Sequence, residues 1–241
     1  MAQTETKPSW FTKRRLIIIG DIALVLIVVL GGISYFLTKS TTCDFPLTMQ
    51  GQPPLEEIVQ SPTIRHTAPP WPAEAEGLDA RMAAANVPKA PEGKADHAYS
   101  FQLKVYYKGQ AVAVPSGIGH GNGFLSAIHT DDASGTVHVD LPKDAPTIDM
   151  SDVFAVWGVR MTANSLGDAC NQGDSVLRMF LGSTPIGGDI GVEPLGAAAQ
   201  GKTYTYTMGT DQQIPPDLYK QLAPEQRMPP VHPTGKDSPG G

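Results

Sequence analysis

One stretch of this sequence predicts a β-rich domain. It reads Tyr99-Ser100-Phe101-Gln102-Leu103-Lys104-Val105-Tyr106-Tyr107. In it, Phe101, Leu103 and Val105 alternate with polar residues, which is the pattern of a strand that is buried on one face only. Lys108-Gly109 follows as a turn into residues 111–114, so the sequence predicts a first β-hairpin at this point.

Residues 126–141 predict a second hairpin. Its turn is Asp132-Ala133-Ser134-Gly135, a four-residue loop in which Gly135 supplies left-handed backbone. The register set by this turn places Ile128 opposite Val139 and Thr130 opposite Val137. These four side chains form the aliphatic core face of the hairpin.

The other face of this hairpin carries side chains of the types that bind metals in proteins. The same register places His129 directly opposite His138, with Asp131 and Asp140 beside them. Two imidazoles with neighbouring carboxylates approach a two-histidine, one-carboxylate ligand set. The alternative is a polar face on which these side chains hydrogen-bond for stability or are simply solvated.

A glycine-rich loop precedes the second hairpin. It reads Gly117-Ile118-Gly119-His120-Gly121-Asn122-Gly123. The loop lacks a basic residue and a following helix, so it does not predict a phosphate site. Its glycines instead favour a tight path around the sheet. His120 is a further candidate ligand, placed to close the site from the loop.

Further elements complete the predicted domain. Residues 73–85 predict a short helix, and Ser151 is the predicted N-cap of a helix over residues 152–157 that Gly158 ends. Residues 159–161, 176–181 and 203–208 predict strands. The predicted fold class is mainly β (α+β): an N-terminal transmembrane helix, then one small antiparallel β domain with a short helix. A β-grasp-like layout is the alternative.

Residues 16–37 predict a transmembrane helix. They are apolar apart from Asp21 and span about 33 Å at about 1.5 Å per residue. Lys13-Arg14-Arg15 precede the run and only Lys39 closely follows it, which keeps the N-terminus cytoplasmic. A cleaved signal peptide and a lipoprotein at Cys43 are the alternatives. The length of the run and the sequence around residues 39–42 favour an uncleaved single-pass anchor in the cell membrane.

The predicted chain has five parts. They are a cytoplasmic N-terminus (1–15), the transmembrane helix (16–37), a proline-rich stalk with a short helix (38–95), an extracytoplasmic β domain (96–209) and a disordered proline-rich tail (210–241). Beyond Lys39 the chain holds 13 Lys plus Arg and 22 Asp plus Glu, a formal charge of −9. Such a surface repels polyanions, so we expect no nucleic-acid partner.

Cys43 and Cys170 are the two cysteines of the chain. Both follow the predicted anchor, where the oxidising environment permits disulfides. A Cys43–Cys170 disulfide would tie the segment next to the membrane to the domain. Two free or separately modified thiols are the alternative, because sequence does not give the geometry. Neither cysteine has the spacing of a redox or zinc motif.

Four stretches together resemble a family of uncharacterised bacterial exported or membrane-anchored domains, mainly actinobacterial. They are Ala68-Pro69-Pro70-Trp71-Pro72, Val114-Pro115-Ser116-Gly117-Ile118-Gly119, Ile128-His129-Thr130-Asp131-Asp132 with Val137-His138-Val139-Asp140, and Phe154-Ala155-Val156-Trp157-Gly158-Val159-Arg160. Their order and spacing agree with the family over about residues 66–209.

The resemblance implies a copper or zinc site. The family has His-Thr-His-Asp and Ile-His-Val-Glu segments, which correspond here to His129, His138 and, by residue type, Asp140. This chain departs from the pattern, because Asp131 stands where the second histidine of the first segment would be. Residues 100–102 also supply none of the family's first-strand histidines.

Two classes of function follow from these patterns. The first hypothesis is a membrane-anchored extracytoplasmic accessory protein with a protein partner in a respiratory or cell-envelope complex. The alternative is a domain that binds copper or zinc through His129 and His138. We expect no enzyme activity, because Ser116, Ser126 and Cys170 lack the sequence setting of a nucleophile and no cofactor motif is present.

Overall fold

The computed structural model describes residues 63–187 and 194–227. The predicted cytoplasmic segment, the transmembrane helix, Cys43 and residues 228–241 of the tail lie outside these ranges, and what the sequence predicts for them stays a prediction. Within the described ranges, no helix is both long enough and apolar enough to cross a membrane.

The described chain is mainly β, as the strand patterns predict. Its strands are β1 (His97–Tyr107), β2 (Gln110–Val112), β3 (Ile128–His129), β4 (Thr136–Leu141), β5 (Ile148–Asp149), β6 (Met161–Thr162), β7 (Ser165–Leu166), β8 (Ala169–Cys170), β9 (Val176–Leu181), β10 (Thr184–Ile186), β11 (Pro194–Leu195) and β12 (Thr203–Gly209). Its α-helices are α1 (Leu78–Ala84), α2 (Met150–Trp157) and α3 (Pro216–Tyr219).

Strand β1 lies at the centre of a seven-stranded mixed sheet. The strand order is β10-β9-β12-β1-β4-β3, and β2 also pairs with β1. Strand β1 is antiparallel to β2 and β4 but parallel to β12. The prediction of an antiparallel sheet is therefore wrong at its centre, where β1 and β12 are parallel. A parallel pair needs a long crossover, here the whole chain between β1 and β12, and no local sequence pattern predicts such a pairing.

The hydrophobic core lies between one face of this sheet and helix α2. Phe101, Leu103 and Val105 of β1 are buried there, as their alternation predicts, together with Val137 and Val139 of β4. All eight residues of α2 are buried as well. The opposite face of β4 remains available for polar side chains.

Helix α2 begins two residues earlier than predicted. Its N-cap is Asp149, not Ser151. The Asp149 carboxylate accepts a hydrogen bond from the Asp152 N–H at 3.2 Å, and the Asp152 carboxylate accepts one from the Asp149 N–H at 2.9 Å. This capping box fixes the start of the helix. Gly158 ends it with left-handed backbone, as predicted.

The predicted stalk packs onto the domain from residue 63 onward. Trp71 is 1 % exposed, and its ring meets that of Trp157 edge-on at a centroid distance of 5.7 Å. The buried guanidinium of Arg81 donates to the carbonyls of Val156 and Glu74. The Val156 carbonyl belongs to the last turn of α2, where no helical N–H remains to satisfy it. These residues are therefore part of the core.

The domain extends beyond the predicted residues 96–209 at both ends. Helix α1 begins at Leu78 and not at residue 73, because Gly77 adopts left-handed backbone (φ 69°) just before it. After β12, in the predicted tail, Ile214, Leu218 and Leu222 pack against Phe180 in a second small apolar cluster. Both flanks contribute buried apolar surface to the fold.

Candidate functional site

The pairing of β3 with β4 places His129 and His138 side by side. The strands are antiparallel with Ile128 opposite Val139 and His129 opposite His138, which confirms the predicted register. Ile128 and Val139 are fully buried on the core face. Because side chains alternate along a strand, both imidazoles lie on the other face. Their rings stack with centroids 5.4 Å apart.

The glycine-rich loop lies along β3 and shortens the predicted hairpin. Thr130, predicted to pair with Val137, instead bonds to the loop. Its N–H donates to the Ile118 carbonyl at 3.1 Å, and its Oγ1 accepts from the Ile118 N–H at 3.1 Å. The β3–β4 ladder therefore ends at His129.

Gly119 allows this loop to come close enough to bring His120 to the site. Its φ is +76°, and a Cβ at this position would lie 2.1 Å from the Ile128 carbonyl oxygen. The Ser126 N–H donates to the Gly119 carbonyl at 2.8 Å. The ring of His120, the next residue, lies 6.2 Å from that of His129. The loop thus takes the tight path that its glycines predict and carries a third imidazole to the pair.

The carboxylate of Asp131 faces all three imidazoles. Its Oδ1 lies 3.8 Å from Nε2 of His120 and 3.8 Å from Nε2 of His129, and its Oδ2 lies 3.7 Å from Nε2 of His138. The Oδ2 of Asp140 lies 3.9 Å from Nε2 of His129. The structure therefore gathers all five site residues predicted from the sequence into one cluster.

His129 is the buried member of the cluster, and burial lowers its pKa below the usual histidine value. The charges of Asp131 and Asp140 act to raise this pKa but do not cancel the effect of burial, and His138 lowers it further. His129 is therefore neutral at pH 7, the form in which an imidazole nitrogen binds a metal.

The inner nitrogen of His129, Nδ1, is buried beside backbone. It has no hydrogen-bond partner of regular geometry among the described residues. Metal-binding histidines commonly donate their second ring N–H to a carboxylate or backbone carbonyl, and among the described residues no such bond of regular geometry is formed by Nδ1 of His129.

The spacing of the cluster is slightly wider than that of a closed metal site. In the described part of the chain, no group of three or more His, Cys, Asp or Glu side chains is arranged to hold a metal ion as it stands. Two ligands bound to one tetrahedral zinc lie about 3.4 Å apart. The Nε2-to-carboxylate distances here are 3.7–3.9 Å. Metal binding therefore requires the ligands to move closer together, and the side chain of Asp131, which is 63 % exposed, can do so.

The other chemically reactive candidates lie apart from this cluster or are engaged elsewhere. The Ser126 hydroxyl is buried and accepts a hydrogen bond from the Ile128 N–H at 3.2 Å. Cys170 is a disulfide cysteine, and the Arg160 guanidinium donates to its Sγ at 3.7 Å. Since Cys43 lies outside the described residues, the Cys43–Cys170 pairing stays a prediction.

Comparison with protein-family models, with curated proteins and with solved structures finds no match for this chain.

Proposed function

We propose that the domain binds one divalent transition-metal ion, zinc or copper, through His120, His129, His138 and Asp131. The observation that carries the proposal is the convergence of three Nε2 atoms on one carboxylate at 3.7–3.8 Å. Imidazole nitrogens with a carboxylate oxygen form a ligand set that suits zinc and copper. Magnesium and calcium prefer all-oxygen sites.

The distances argue against a cluster that serves only to hydrogen-bond the fold. A hydrogen bond from an imidazole N–H to a carboxylate oxygen spans about 2.7–3.2 Å. None of the four histidine–carboxylate contacts is that short. The three imidazoles instead face the Asp131 carboxylate at distances that are too long for direct hydrogen bonds. The neutral state of His129 also means that the most buried ligand has no proton to release when metal binds.

Metal titration of the purified full-length chain tests this proposal. Calorimetry with zinc and with copper is expected to give one ion per chain. The double variant His129→Ala/His138→Ala is expected to lose at least about 100-fold in affinity, because two of four ligands are gone. A matched double variant, His66→Ala/His97→Ala, removes two exposed histidines outside the cluster and is expected to bind as the parent does. Binding no tighter than millimolar in the parent, or equal losses in both double variants, would contradict the proposal.

We also propose that the chain is a single-pass membrane protein with this domain outside the membrane. The apolar run at residues 16–37 and the basic residues before it support this location. An accessory role in a respiratory or cell-envelope complex stays a second prediction. Mild detergent extraction with mass spectrometry of co-purifying proteins tests it, and a chain that purifies alone at native abundance would count against it.

We also propose that the fold has a β-grasp-like layout. The order β9-β12-β1-β4, with β1 parallel to β12 and α2 between β4 and β9 in sequence, supports the β-grasp-like layout. In such a layout, the site lies on the outer face at the β3–β4 edge of the sheet, away from the helix.

A further inference from the structure

We infer that this metal site is an open exchange site, from which an external donor removes the ion by replacing Asp131 and then His120. The inference rests on the proposed metal-binding function and names the class of partner. That partner is a small chelator or a protein segment that offers nitrogen or oxygen donors. The alternative is a closed site that holds its ion for the lifetime of the fold.

The exposure of the ligands is graded across the cluster. The side chain of His129 is 6 % exposed and that of His138 is 37 % exposed, whereas those of His120 and Asp131 are 48 % and 63 % exposed. Structural metal sites are enclosed by protein and leave no open position. Here two of the four ligands are accessible to a molecule that approaches from solvent.

The two pairs of ligands also differ in how they are held. His129 and His138 lie on paired strands whose core-facing neighbours, Ile128 and Val139, are fully buried. His120 and Asp131 instead lie outside regular strands, on the glycine-rich loop and just after β3. The accessible ligands are therefore also the ones whose displacement leaves the strand pairing unchanged.

The apolar core of the domain does not include the proposed metal ligands. The β3–β4 pair is hydrogen-bonded, and its core-facing residues Ile128 and Val139 pack into the apolar core of the domain. Small domains that need a metal to fold lack such a core. Release of the ion therefore does not require the domain to unfold, and binding and release are compatible with a constant fold.

The exchange follows by ligand substitution. A donor atom of the incoming partner binds the open side of the ion as the bond to the Asp131 carboxylate breaks. A second donor then replaces Nε2 of His120, and the ion leaves the strand-held pair of His129 and His138 last. The ion keeps its two-plus charge throughout, no electron is transferred, and water solvates the freed side chains.

Transfer of zinc to the coloured chelator 4-(2-pyridylazo)resorcinol tests this inference. The full-length chain is loaded with one equivalent of zinc and mixed with increasing chelator, and the transfer rate is followed by absorbance. We expect a rate that rises with chelator concentration, with an unchanged circular dichroism spectrum before and after zinc removal. Asp131→Asn is expected to accelerate transfer about 10-fold, because an amide is a weaker ligand than a carboxylate.

Asp132→Asn is the matched control. Asp132 is adjacent and exposed, but its Oδ1 accepts a hydrogen bond from the Ser134 N–H at 2.9 Å, and the ion pairs of the cluster within 4.0 Å involve Asp131 and Asp140 instead. This variant is expected to transfer zinc at the parent rate. Zinc that binds tightly but leaves at a rate independent of chelator, or equal effects of both variants, would overturn the exchange mechanism alone. A parent chain that holds no zinc before mixing would overturn the proposed function and this inference with it.

Discussion

The Asp152 carboxyl is a buried acid that the histidine cluster does not involve. It is 8 % exposed at the start of α2, and burial raises its pKa to about 7, with the neighbouring charge of Asp149 adding to the shift. Burial, followed by the charges of Tyr204 and Asp152, likewise raises the pKa of Tyr99 to about 12. The first turn of α2 is thus a place where ionisation acts against folding.

This residue makes stability depend on pH. Its folded-state pKa of about 7 lies above its usual value of 3.8, so the folded state holds the proton more tightly than the unfolded state. The contribution of this group is therefore most favourable at low pH and declines as pH rises from about 4 to about 7. Asp152→Asn retains an acceptor for the Asp149 N–H but carries no charge. The free energy of unfolding of the variant minus that of the parent is expected to be about 1–3 kcal/mol larger at pH 8 than at pH 5.

Urea denaturation of parent and variant at a series of pH values measures this difference. A variant whose stability runs parallel to that of the parent from pH 5 to pH 8 would show that Asp152 does not titrate in this range.

The glycine-rich loop and β3 act as one element at the site. Their contact depends on Gly119, where a Cβ would meet the Ile128 carbonyl oxygen at 2.1 Å. Gly123 in the same loop has a similar backbone (φ +82°), but a Cβ there would meet nothing within 4 Å. The two glycines therefore separate the effect of backbone strain from the effect of close approach.

Gly119→Ala is expected to weaken zinc binding, because the loop must move and take His120 with it. Gly123→Ala introduces backbone strain of about 1 kcal/mol but no clash, so its zinc affinity is expected to stay near that of the parent. Calorimetric titration of both variants, with thermal unfolding to confirm that each is folded, measures the contrast. Equal zinc affinities in the two variants would contradict the role given to Gly119.

Local patterns predicted the elements well and their partners less well. The strand beginning near Tyr99, the strand at residues 176–181 and the register of His129 with His138 follow from side-chain alternation and from a turn that fixes pairing. The parallel pairing of β1 with β12 joins segments that are distant in sequence, and no local signal encodes it. The N-cap differs because Asp149 and Ser151 both have suitable side chains, and only the backbone path decides between them.

The sequence predicts which residues belong to the site but not how their side chains are arranged. Register alone brings His129, His138 and the two aspartates to one face. The approach of His120 depends on the path of the glycine-rich loop. A sequence this rich in glycine is compatible with several loop conformations, so it does not predict this path. The choice of Asp131 as the carboxylate that faces all three imidazoles depends on side-chain rotation after the end of β3.

At the scale of the whole molecule, the folded domain is longer than the run of predicted strands. Trp71 and helix α1 before β1, and Ile214, Leu218 and Leu222 after β12, contribute buried surface. Proline-rich composition predicted a stalk and a tail in these regions, because composition does not reveal whether an extended segment packs on a neighbouring core. The described parts of both segments belong to the domain.

A shortened chain tests this boundary. A fragment of residues 63–227 is expected to unfold cooperatively, whereas a fragment of residues 96–227 is expected to lack a cooperative transition. The shorter fragment loses Trp71. Removal of a buried tryptophan side chain costs about 3–5 kcal/mol, a large part of a total free energy of unfolding of about 5–15 kcal/mol. The shorter fragment also loses Arg81, which satisfies the last turn of α2. Thermal unfolding followed by circular dichroism compares the two, and equal midpoints would show that residues 63–95 are dispensable.

In the proposed site, three histidines and one aspartate surround a single metal ion. X-ray absorption spectroscopy of the zinc-loaded full-length chain counts these ligands directly. We expect three imidazole nitrogens and one carboxylate oxygen at about 2.0–2.2 Å from zinc. A zinc ion with fewer than two imidazole ligands, or a spectrum that is unchanged in the His129→Ala/His138→Ala variant, would contradict it.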